Sequence, residues 1–396
     1  MKTKRSILFI FTVLSIFALP QIGIDLYLPS MPIIQKTLGT TQFYTQLSIS
    51  LYILTMGLTQ LIYGPLSDQY GRKPIILIGA TIFLVGNIIS SVSPSIRIFL
   101  FGRIIQGAGI GAGFTVASAM LSDTFHGNKL SQMTSFSSMV YSLSPLLAPV
   151  IGGFIAEYLF WQSNFYIISL LSLILLLCIL FFVKETNIEA HNKPIPFHHI
   201  FTQYVKMLFN VQFISLILSL TTAFGITISL NIICPFLYQN VLLVRPANYG
   251  ILILIFGAAY FVGTSINSKA LQYFLSRSLI FFGLSTMLFG SIAMLVSGTT
   301  GWFDVFSITL WSAIVVMGTG FVWPNCFAIA LKVFQTQAGM ASALIGSLGL
   351  IGTSVLSVVV SHFHIEGENP LAIVLLIVSI VCGSSFLFYN FNSSGD

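Results

Sequence analysis

The amino-acid sequence predicts an all-α membrane protein whose chain crosses the bilayer twelve times. Of its 396 residues, 56% are hydrophobic and only 7% are charged, and the mean hydropathy is +0.96. A soluble domain carries about a quarter charged residues, so this composition excludes an ordinary soluble protein. The apolar runs reach about twenty residues or more, enough for a helix to cross the hydrocarbon core, and they lack the alternation of a transmembrane β-strand.

Twelve apolar segments follow one another along the chain. The first has the basic start and apolar core of a signal peptide. It carries no small-residue cleavage site and continues past Ala18, so we expect it to be retained as a helix. The predicted spans are 7–34, 42–67, 74–93, 97–121, 130–156, 163–183, 208–240, 247–268, 277–297, 303–331, 338–362 and 371–390.

The longest polar connection follows the sixth segment and divides the chain into halves. We therefore predict an N-terminal six-helix bundle over 1–184, a cytoplasmic linker over 185–206 and a C-terminal six-helix bundle over 207–396. Six segments on each side of one linker are typical of an internally duplicated transporter, in which the two bundles are pseudo-symmetric.

Basic residues predict the orientation. With the N-terminus in the cytoplasm, twelve of the 16 Lys and Arg residues face inward, and only Lys36, Arg97 and Arg245 face outward. This is the positive-inside pattern, so we expect a multi-pass protein of the cell (inner) membrane with both termini cytoplasmic. The net charge of +6 follows from this topology and does not indicate nucleic-acid binding.

The cysteines and histidines match no metal-binding pattern, so no metal site is predicted.

Two charged residues lie inside predicted membrane segments, Asp25 in "QIGIDLYLPSMP" and Arg103 in "FGRIIQGAGIGAG". A charge at the bilayer centre costs at least ~2.5–3.5 kcal/mol, so each is expected to face protein or a watery cavity. We predict that Asp25 is a protonatable carboxylate near the fixed cation Arg103. The alternatives are a shallow first helix that lets Asp25 reach water and an Arg103 that only ties helix-end carbonyls. Asp304 and Glu157 are expected at segment ends, which leaves Asp25 as the only clearly intramembrane carboxylate.

Prolines and glycines predict interrupted and closely packed helices around these charges. Pro20, Pro29 and Pro32 are expected to interrupt segment one. The overlapping GxxxG steps of residues 107–113 favour close contact of segment four with its neighbours. "SPLLAPVIGG" in segment five predicts a bend and a close contact surface. The residues that carry this bend are Pro145, Pro149, Gly152 and Gly153.

Taken in chain order, these motifs resemble the major facilitator superfamily, and specifically its twelve-helix drug–proton antiporters of the Bcr/CflA type. The similar stretches are "IDLYLPSMP" at 24–32, "GPLSDQYGRKP" at 64–74, "GRIIQGAGIGAG" at 102–113, "SPLLAPVIGG" at 144–153 and "GMASALIGSLGLIG" at 339–352. The likeness covers the whole chain, with fewer signatures in the C-terminal half.

The resemblance implies that the connection between segments two and three is a cytoplasmic latch between the two bundles. Asp68 would lie near the N-terminal end of segment eleven, around Gly339, where a helix dipole favours a carboxylate. Arg72 would pair with Asp123. The implied latch residues are Gly64, Asp68, Gly71, Arg72, Lys73 and Asp123.

The resemblance also implies that segments one, four, seven and ten line a substrate passage. Aromatic side chains there would stack on a flat, lipophilic or cationic solute. The polar and aromatic candidates for this cavity are Tyr27, Gln106, Asn231, Tyr238, Trp323 and Asn325.

The expected function is a proton-coupled antiporter that exports small amphipathic compounds, such as drugs, by alternating access. We expect a monomer in the lipid bilayer, with the proton as coupling ion and no other cofactor. One alternative is a dedicated exporter of a single endogenous metabolite such as a siderophore, and another is a non-transporting membrane receptor. An enzyme is not expected, because no paired nucleophile and base is visible in the sequence.

Overall fold

All regular secondary structure is helical in the part that the computed structural model describes, which comprises residues 2–187, 197–302, 304–363 and 367–393. The α-helices are α1 Lys2–Asp25, α2 Met31–Thr37, α3 Gln42–Tyr70, α4 Arg72–Ser91, α5 Ile96–Thr124, α6 Gly127–Tyr158, α7 Gln162–Phe182, α8 Phe197–Leu208, α9 Val211–Phe236, α10 Pro246–Ala270, α11 Ser276–Thr299, α12 Val305–Val333, α13 Ala338–Ser361 and α14 Glu368–Ser393. Short helical turns lie at Leu28–Ser30, Leu237–Val241 and Gln335–Gln337.

Twelve helical stretches in the described ranges are long and apolar enough to cross a membrane. They coincide with the twelve predicted segments to within a few residues at most ends, so the predicted membrane fold is confirmed. The first span, Leu8–Thr37, joins α1 and α2, and the seventh, Val211–Val241, joins α9 to the turn that follows it. The last span begins at Glu368 instead of 371, which brings an acidic residue into the helix.

The chain separates into two compact units, Met1–Phe201 and Thr202–Asp396. In the first unit, α3 and α4 pack on α5, α4 packs on α7, and α1 packs on α5, α6 and α7. In the second, α10 and α11 pack on α12, α11 packs on α14, and α9 packs on α12, α13 and α14. The pairing repeats helix for helix, which is the pattern expected of two pseudo-symmetric six-helix bundles.

The segment between the two bundles differs from the polar connection expected from the sequence. Helix α8 occupies the second half of the predicted linker 185–206 and extends beyond its end. The range 188–196, which belongs to the same predicted linker, lies outside the described residues. The exact domain boundaries at 184 and 207 therefore stay a prediction.

The first span is broken once, between α1 and α2. Pro29 and Pro32 each occupy one of the first two positions of the short helices that begin after the break. A proline is tolerated there because its missing N–H has no partner in a first turn. The expected interruption is therefore confirmed at these two prolines. It is wrong at Pro20, which α1 passes without ending, since neighbouring groups in a membrane bundle can pack around an interior proline.

Glycines of α5 bring three helices into close contact, as the GxxxG steps predict. A Cβ atom at Gly107 would overlap the carbonyl of Tyr52 in α3, and one at Gly109 would overlap the backbone nitrogen of Phe83 in α4. Such backbone-to-backbone contact leaves no room for a side chain. Helix α5 is thereby held between α3 and α4 at the centre of the N-terminal unit.

Replacing Gly109 by alanine is expected to destabilise the protein by about 1–3 kcal/mol, because α4 would have to move away from α5. Gly349→Ala is the matched control, since a Cβ there meets nothing within 4 Å. We expect this control to leave the stability unchanged or slightly raised. Thermal unfolding of the detergent-solubilised protein measures both. Equal melting temperatures for the two variants would contradict the packing described for α5.

Candidate functional site

Arg103 of α5 is fully buried and binds the end of α1. Its Nη1 donates to the Gly23 carbonyl at 3.0 Å and also to Gln106 Oε1, while its Nε donates to the Ser48 carbonyl at 3.3 Å. Gly23 lies in the last turn of α1, where carbonyls lack helical partners and the helix dipole is negative. The helix-end tie that the sequence left as one alternative for Arg103 is therefore present in the structure.

Aromatic rings surround the guanidinium group of Arg103. Its Cζ atom lies 4.6 Å from the ring centre of Tyr27 and 4.3 Å from that of Tyr52. The hydroxyls of these rings are engaged as well. Tyr27 shares a 2.8 Å hydrogen bond with Ser48 Oγ, and Tyr52 donates to the Pro20 carbonyl at 2.9 Å. The cation is thus stabilised by ring faces and by helix-end carbonyls together.

A chain of amides continues from Arg103 into the bundle. Gln106 accepts from Arg103 and donates through Nε2 to Asn87 Oδ1 at 2.8 Å. Asn87 in turn donates to the Phe83 carbonyl at 2.8 Å. This chain fixes the side-chain orientation of Gln106, because both ends of its amide are used.

Asp25 is the last residue of α1, two residues after the carbonyl that Arg103 binds. Its side chain is only 1% exposed. A shallow first helix that lets this carboxylate reach water therefore does not describe the structure. Asp25 and Arg103 both lie in the interior of the N-terminal unit, at the break in the first span.

Helix α6 packs directly on this break. A Cβ at Gly152 would overlap the carbonyl of Leu26, the residue that follows Asp25. Pro149 and Gly153 are buried beside it. Helix α6 runs without interruption through Pro145 and Pro149, so the bend predicted there stays a prediction. The close contact predicted for Gly152 is present, and it is made with the broken end of the first span.

The connection between α3 and α4 is a single residue, Gly71, with φ +97° and ψ 156°. This conformation strongly favours glycine. The next residue, Arg72, donates from Nε to Asp123 Oδ2 at 3.0 Å and from Nη1 to Asp68 Oδ1 at 2.5 Å. The structure therefore contains the Arg72–Asp123 pair that the resemblance implies. The expected position of Asp68 near Gly339 stays a prediction.

Two other members of the implied latch have different surroundings. Lys73 donates from Nζ to the Leu180 carbonyl at 2.9 Å and so ties the C-terminal turn of α7 to α4. Gly64 is less constrained than Gly71, because a Cβ there would lie 3.4 Å from Thr115 Cγ2. Within the N-terminal unit, a side chain at Gly64 would therefore make only an ordinary van der Waals contact.

Glu185, which the sequence placed in the linker without a role, caps α4. Its carboxylate accepts the backbone N–H of Arg72 at 2.8 Å and that of Lys73 at 3.0 Å. Burial raises the pKa of Glu185. The backbone N–H groups of residues 72, 73, 186 and 187 together lower it by more, so this pKa lies below its usual value. The only sequence signal was an acid directly after segment six.

The two residues after Glu185 extend these contacts. Thr186 donates from Oγ1 to Asp123 Oδ2 at 3.1 Å, and Asn187 donates from Nδ2 to the Asp68 carbonyl at 3.0 Å. Residues 185–187 therefore hold three parts of the latch at once: the start of α4, the end of α3 and the end of α5.

Most predicted cavity residues are buried in the bundle interiors. Asn325 donates to Asn267 Oδ1 at 2.7 Å, and Tyr238 shares a 2.7 Å hydrogen bond with Thr309 Oγ1. Trp323 differs, being 37% exposed and stacked on a phenylalanine of its own helix. The buried members of the set are Tyr27, Gln106, Asn231, Tyr238 and Asn325. Their role in a substrate cavity stays a prediction.

A second carboxylate in the described part of the chain is buried. Glu368, the first residue of α14, is 2% exposed and accepts hydrogen bonds from Ser297 Oγ at 2.5 Å and Ser307 Oγ at 2.7 Å. The expectation that Asp25 is the only clearly intramembrane carboxylate stays a prediction, because Glu368 lies at the very start of its span. Glu368 was not recognised from the sequence, because its helix begins before the apolar run that identified segment twelve.

In the part of the chain that the structure describes, no group of three or more His, Cys, Asp or Glu could hold a metal ion.

Glu185→Gln is expected to lower the stability at neutral pH by about 1 kcal/mol, as for the loss of a helix cap, and less where solvent screens the charge. A carboxylate whose pKa is depressed in the folded state stabilises above its unfolded pKa and loses that effect as the pH falls through the folded pKa. The difference between wild type and variant in thermal unfolding should therefore shrink at acidic pH. A difference that is the same at neutral and acidic pH would contradict this role.

The model of the Major Facilitator Superfamily matches residues 13–357. The Bicyclomycin resistance protein homolog of Haemophilus influenzae is 27% identical over 405 residues, covering 99% of each chain. Multidrug resistance protein D of Escherichia coli is 25% identical over 381 residues, 96% of this chain and 95% of the relative. Multidrug resistance protein MdtL of Salmonella heidelberg is 29% identical over 360 residues, 91% and 89% of the two chains.

Solved transporter structures share the fold at lower identity. A bacterial homolog of the human lysosomal transporter Spinster superposes with a TM-score of 0.76 at 14% identity, over 98% of this chain and 97% of that one. The xylose transporter XylE from Escherichia coli gives 0.73 at 13% identity, over 95% of each chain. Family, relatives and fold agree on a multi-pass membrane transporter of small molecules rather than an enzyme. This chain belongs to the Major Facilitator Superfamily.

Proposed function

We propose that this protein exports small amphipathic compounds, drugs among them, in exchange for protons by alternating access. The observation that carries the proposal is the burial of Asp25 at the break of the first span, next to the carbonyl that Arg103 holds. The relatives named for multidrug and bicyclomycin resistance support the same class of cargo.

Asp25 has the properties required of a proton carrier. A carboxylate in the bundle interior is costly to keep ionised, and a nearby fixed cation offsets that cost. The backbone on its C-terminal side is not continuous helix, so the two parts of the first span can shift with little loss of hydrogen bonds. A proton and a cationic or polar solute would then compete for Asp25.

The aromatic and amide groups around Asp25 support an amphipathic cargo. Tyr27 and Tyr52 are buried against Arg103 and would meet a solute only if the site opens, whereas Trp323 in the other unit is partly exposed. Ring faces bind flat apolar or cationic groups without strict geometry, which suits a broad range of solutes. The chain would act as a monomer with the proton as its coupling ion.

The membrane orientation follows from the basic residues. We place both termini in the cytoplasm and the protein in the cell (inner) membrane, because the inward excess of Lys and Arg is large. In this orientation Arg72, Asp123 and Glu185 lie together at the cytoplasmic end of the N-terminal unit. The cluster around Glu368 lies at the outer end of the C-terminal unit.

Reconstitution in vesicles with an internal pH dye tests the proposal. We expect bicyclomycin and amphipathic cations to drive proton flux in the wild type, and Asp25→Asn to reduce that flux to background because the proposed exchange of proton and solute at this side chain is lost. Glu157→Gln is the matched control, since this half-buried acid lies in the last turn of α6 in the same unit.

Many weak responses across the panel would support a multidrug exporter, and one tight response would favour a dedicated exporter of a single metabolite. Proton flux that no solute drives, or solute-driven flux that persists in Asp25→Asn, would contradict the proposed coupling.

A further inference from the structure

We propose that Glu368, with Ser297 and Ser307, forms a second proton-binding site, located in the C-terminal unit. Its use in transport rests on the proposed function, whereas the binding of a proton there does not. Three helices meet at this point: Ser297 lies in the last turn of α11, Ser307 in the first turn of α12, and Glu368 begins α14.

The two serine hydroxyls near Glu368 supply fewer hydrogens than their oxygen–oxygen contacts could use. Ser297 Oγ lies 2.9 Å from the Met294 carbonyl and 2.5 Å from Glu368 Oε1. Ser307 Oγ lies 3.0 Å from Ser297 Oγ and 2.7 Å from the same carboxylate oxygen. These are four oxygen–oxygen contacts of hydrogen-bond length, but the two hydroxyls supply one hydrogen each.

A proton on Glu368 Oε1 fills this deficit. The carboxyl then donates to Ser297, which is free to donate to the Met294 carbonyl, while Ser307 donates to Oε1. Three of the four contacts thereby hold a hydrogen instead of two. Hydrogen bonds of 2.5–2.7 Å between oxygens are typical of a carboxyl or carboxylate partner.

The second oxygen of the carboxylate supports the same conclusion. Oε2 of Glu368 is buried and accepts no hydrogen bond from the described part of the chain. An ionised oxygen left without a donor is far more costly than the carbonyl oxygen of a neutral acid. Among the described residues, no Lys, Arg or His nitrogen lies within salt-bridge distance of this carboxylate to offset the charge.

The position of Glu368 in the first turn of α14 provides a contact for the ionised carboxylate. A carboxylate in the first turn of a helix is stabilised by the positive end of the helix dipole. Two serine hydroxyls also donate more strongly to an ionised oxygen than to a neutral one. The surroundings of Glu368 therefore offer contacts to both the protonated and the ionised carboxyl group.

Among the described residues, two titratable groups lie close to this site. Tyr238, in the turn after α9, feels the charge of Glu368, and Asp304 caps α12 by accepting from the Ser307 backbone N–H at 2.6 Å. The last turns of α11 contribute Ser297 and Gly298 but no ionisable side chain. Tyr238 is also one of the predicted cavity residues, so a change of charge at Glu368 reaches a side chain expected to meet solute.

An exposed acid lies one residue contact away from this site. Asp304 is exposed, and its partner Ser307 contacts Glu368 directly. In the proposed orientation this end of the unit faces outward, where an exporter collects its protons. Asp25 would then bind a proton in the N-terminal unit, and Glu368 would bind one in the C-terminal unit.

Infrared difference spectroscopy of the reconstituted full-length protein tests the site without any transported solute. We expect the wild type to show the carbonyl band of a protonated carboxyl group that disappears on raising the pH and that is absent from Glu368→Gln. Asp25→Asn, recorded alongside, identifies the band of the other acid. If wild type and Glu368→Gln share the same carboxyl bands at every pH, or if the Glu368 band never titrates, the proposal is overturned.

A second variant keeps the test decisive if Glu368→Gln does not fold. Ser307→Ala removes one hydrogen-bond partner of the carboxyl group, so the pH dependence of the Glu368 band should differ from that of the wild type. Ser384→Ala, an exposed serine of α14 that bonds only to its own helix, is the control and should leave the titration unchanged. Identical titrations in Ser307→Ala and the control would overturn the site.

The two proposals fail separately. A titrating Glu368 band in a protein that shows no solute-driven proton flux would leave the site standing and remove the exporter function. Solute-driven flux in a protein whose Glu368 band is absent or fixed would leave the exporter standing and remove the site.

Discussion

The guanidinium group of Arg103 binds the carbonyl end of α1 in the interior of the N-terminal unit, and the candidate site is arranged around that contact. A helix that ends inside a bilayer leaves carbonyls that neither water nor lipid can satisfy. Arg103 satisfies one of them, and Asn164 of α7 donates to Ser30 on the other side of the break at 2.8 Å. Because the break is held in this way, Asp25 is kept at a helix end rather than within a closed helix.

The same device recurs at three other helix ends in this protein. Glu185 caps the start of α4, Lys73 binds the last turn of α7, and Asp304 caps the start of α12. Glu185 and Lys73 each bind the end of a helix that is distant in the sequence, whereas Asp304 binds the first turn of its own helix. A few charged residues thus satisfy backbone groups at several helix ends. With only 7% charged residues, the chain concentrates its charges at the points where backbone groups lack helical partners.

Most of the fold can be predicted from the sequence, because long apolar runs, the central linker and the basic residues each reflect the bilayer directly. The Arg72–Asp123 pair and the break at Pro29 could also be anticipated. Glu185 and Glu368 could not. Both lie at the ends of apolar runs, where an acid in the sequence looks like part of a solvated loop, and only the packing of distant helices shows that one is a cap and the other is buried.

Hydrogen–deuterium exchange of the segment 20–30 in wild type and in Arg103→Gln tests the account most directly. If Arg103 holds the break, its loss should speed exchange in this segment, since the end of α1 loses a bond to a charged donor. Exchange elsewhere in the N-terminal unit should change less. Unchanged exchange at 20–30, in a variant that remains folded, would contradict the central role assigned to this contact.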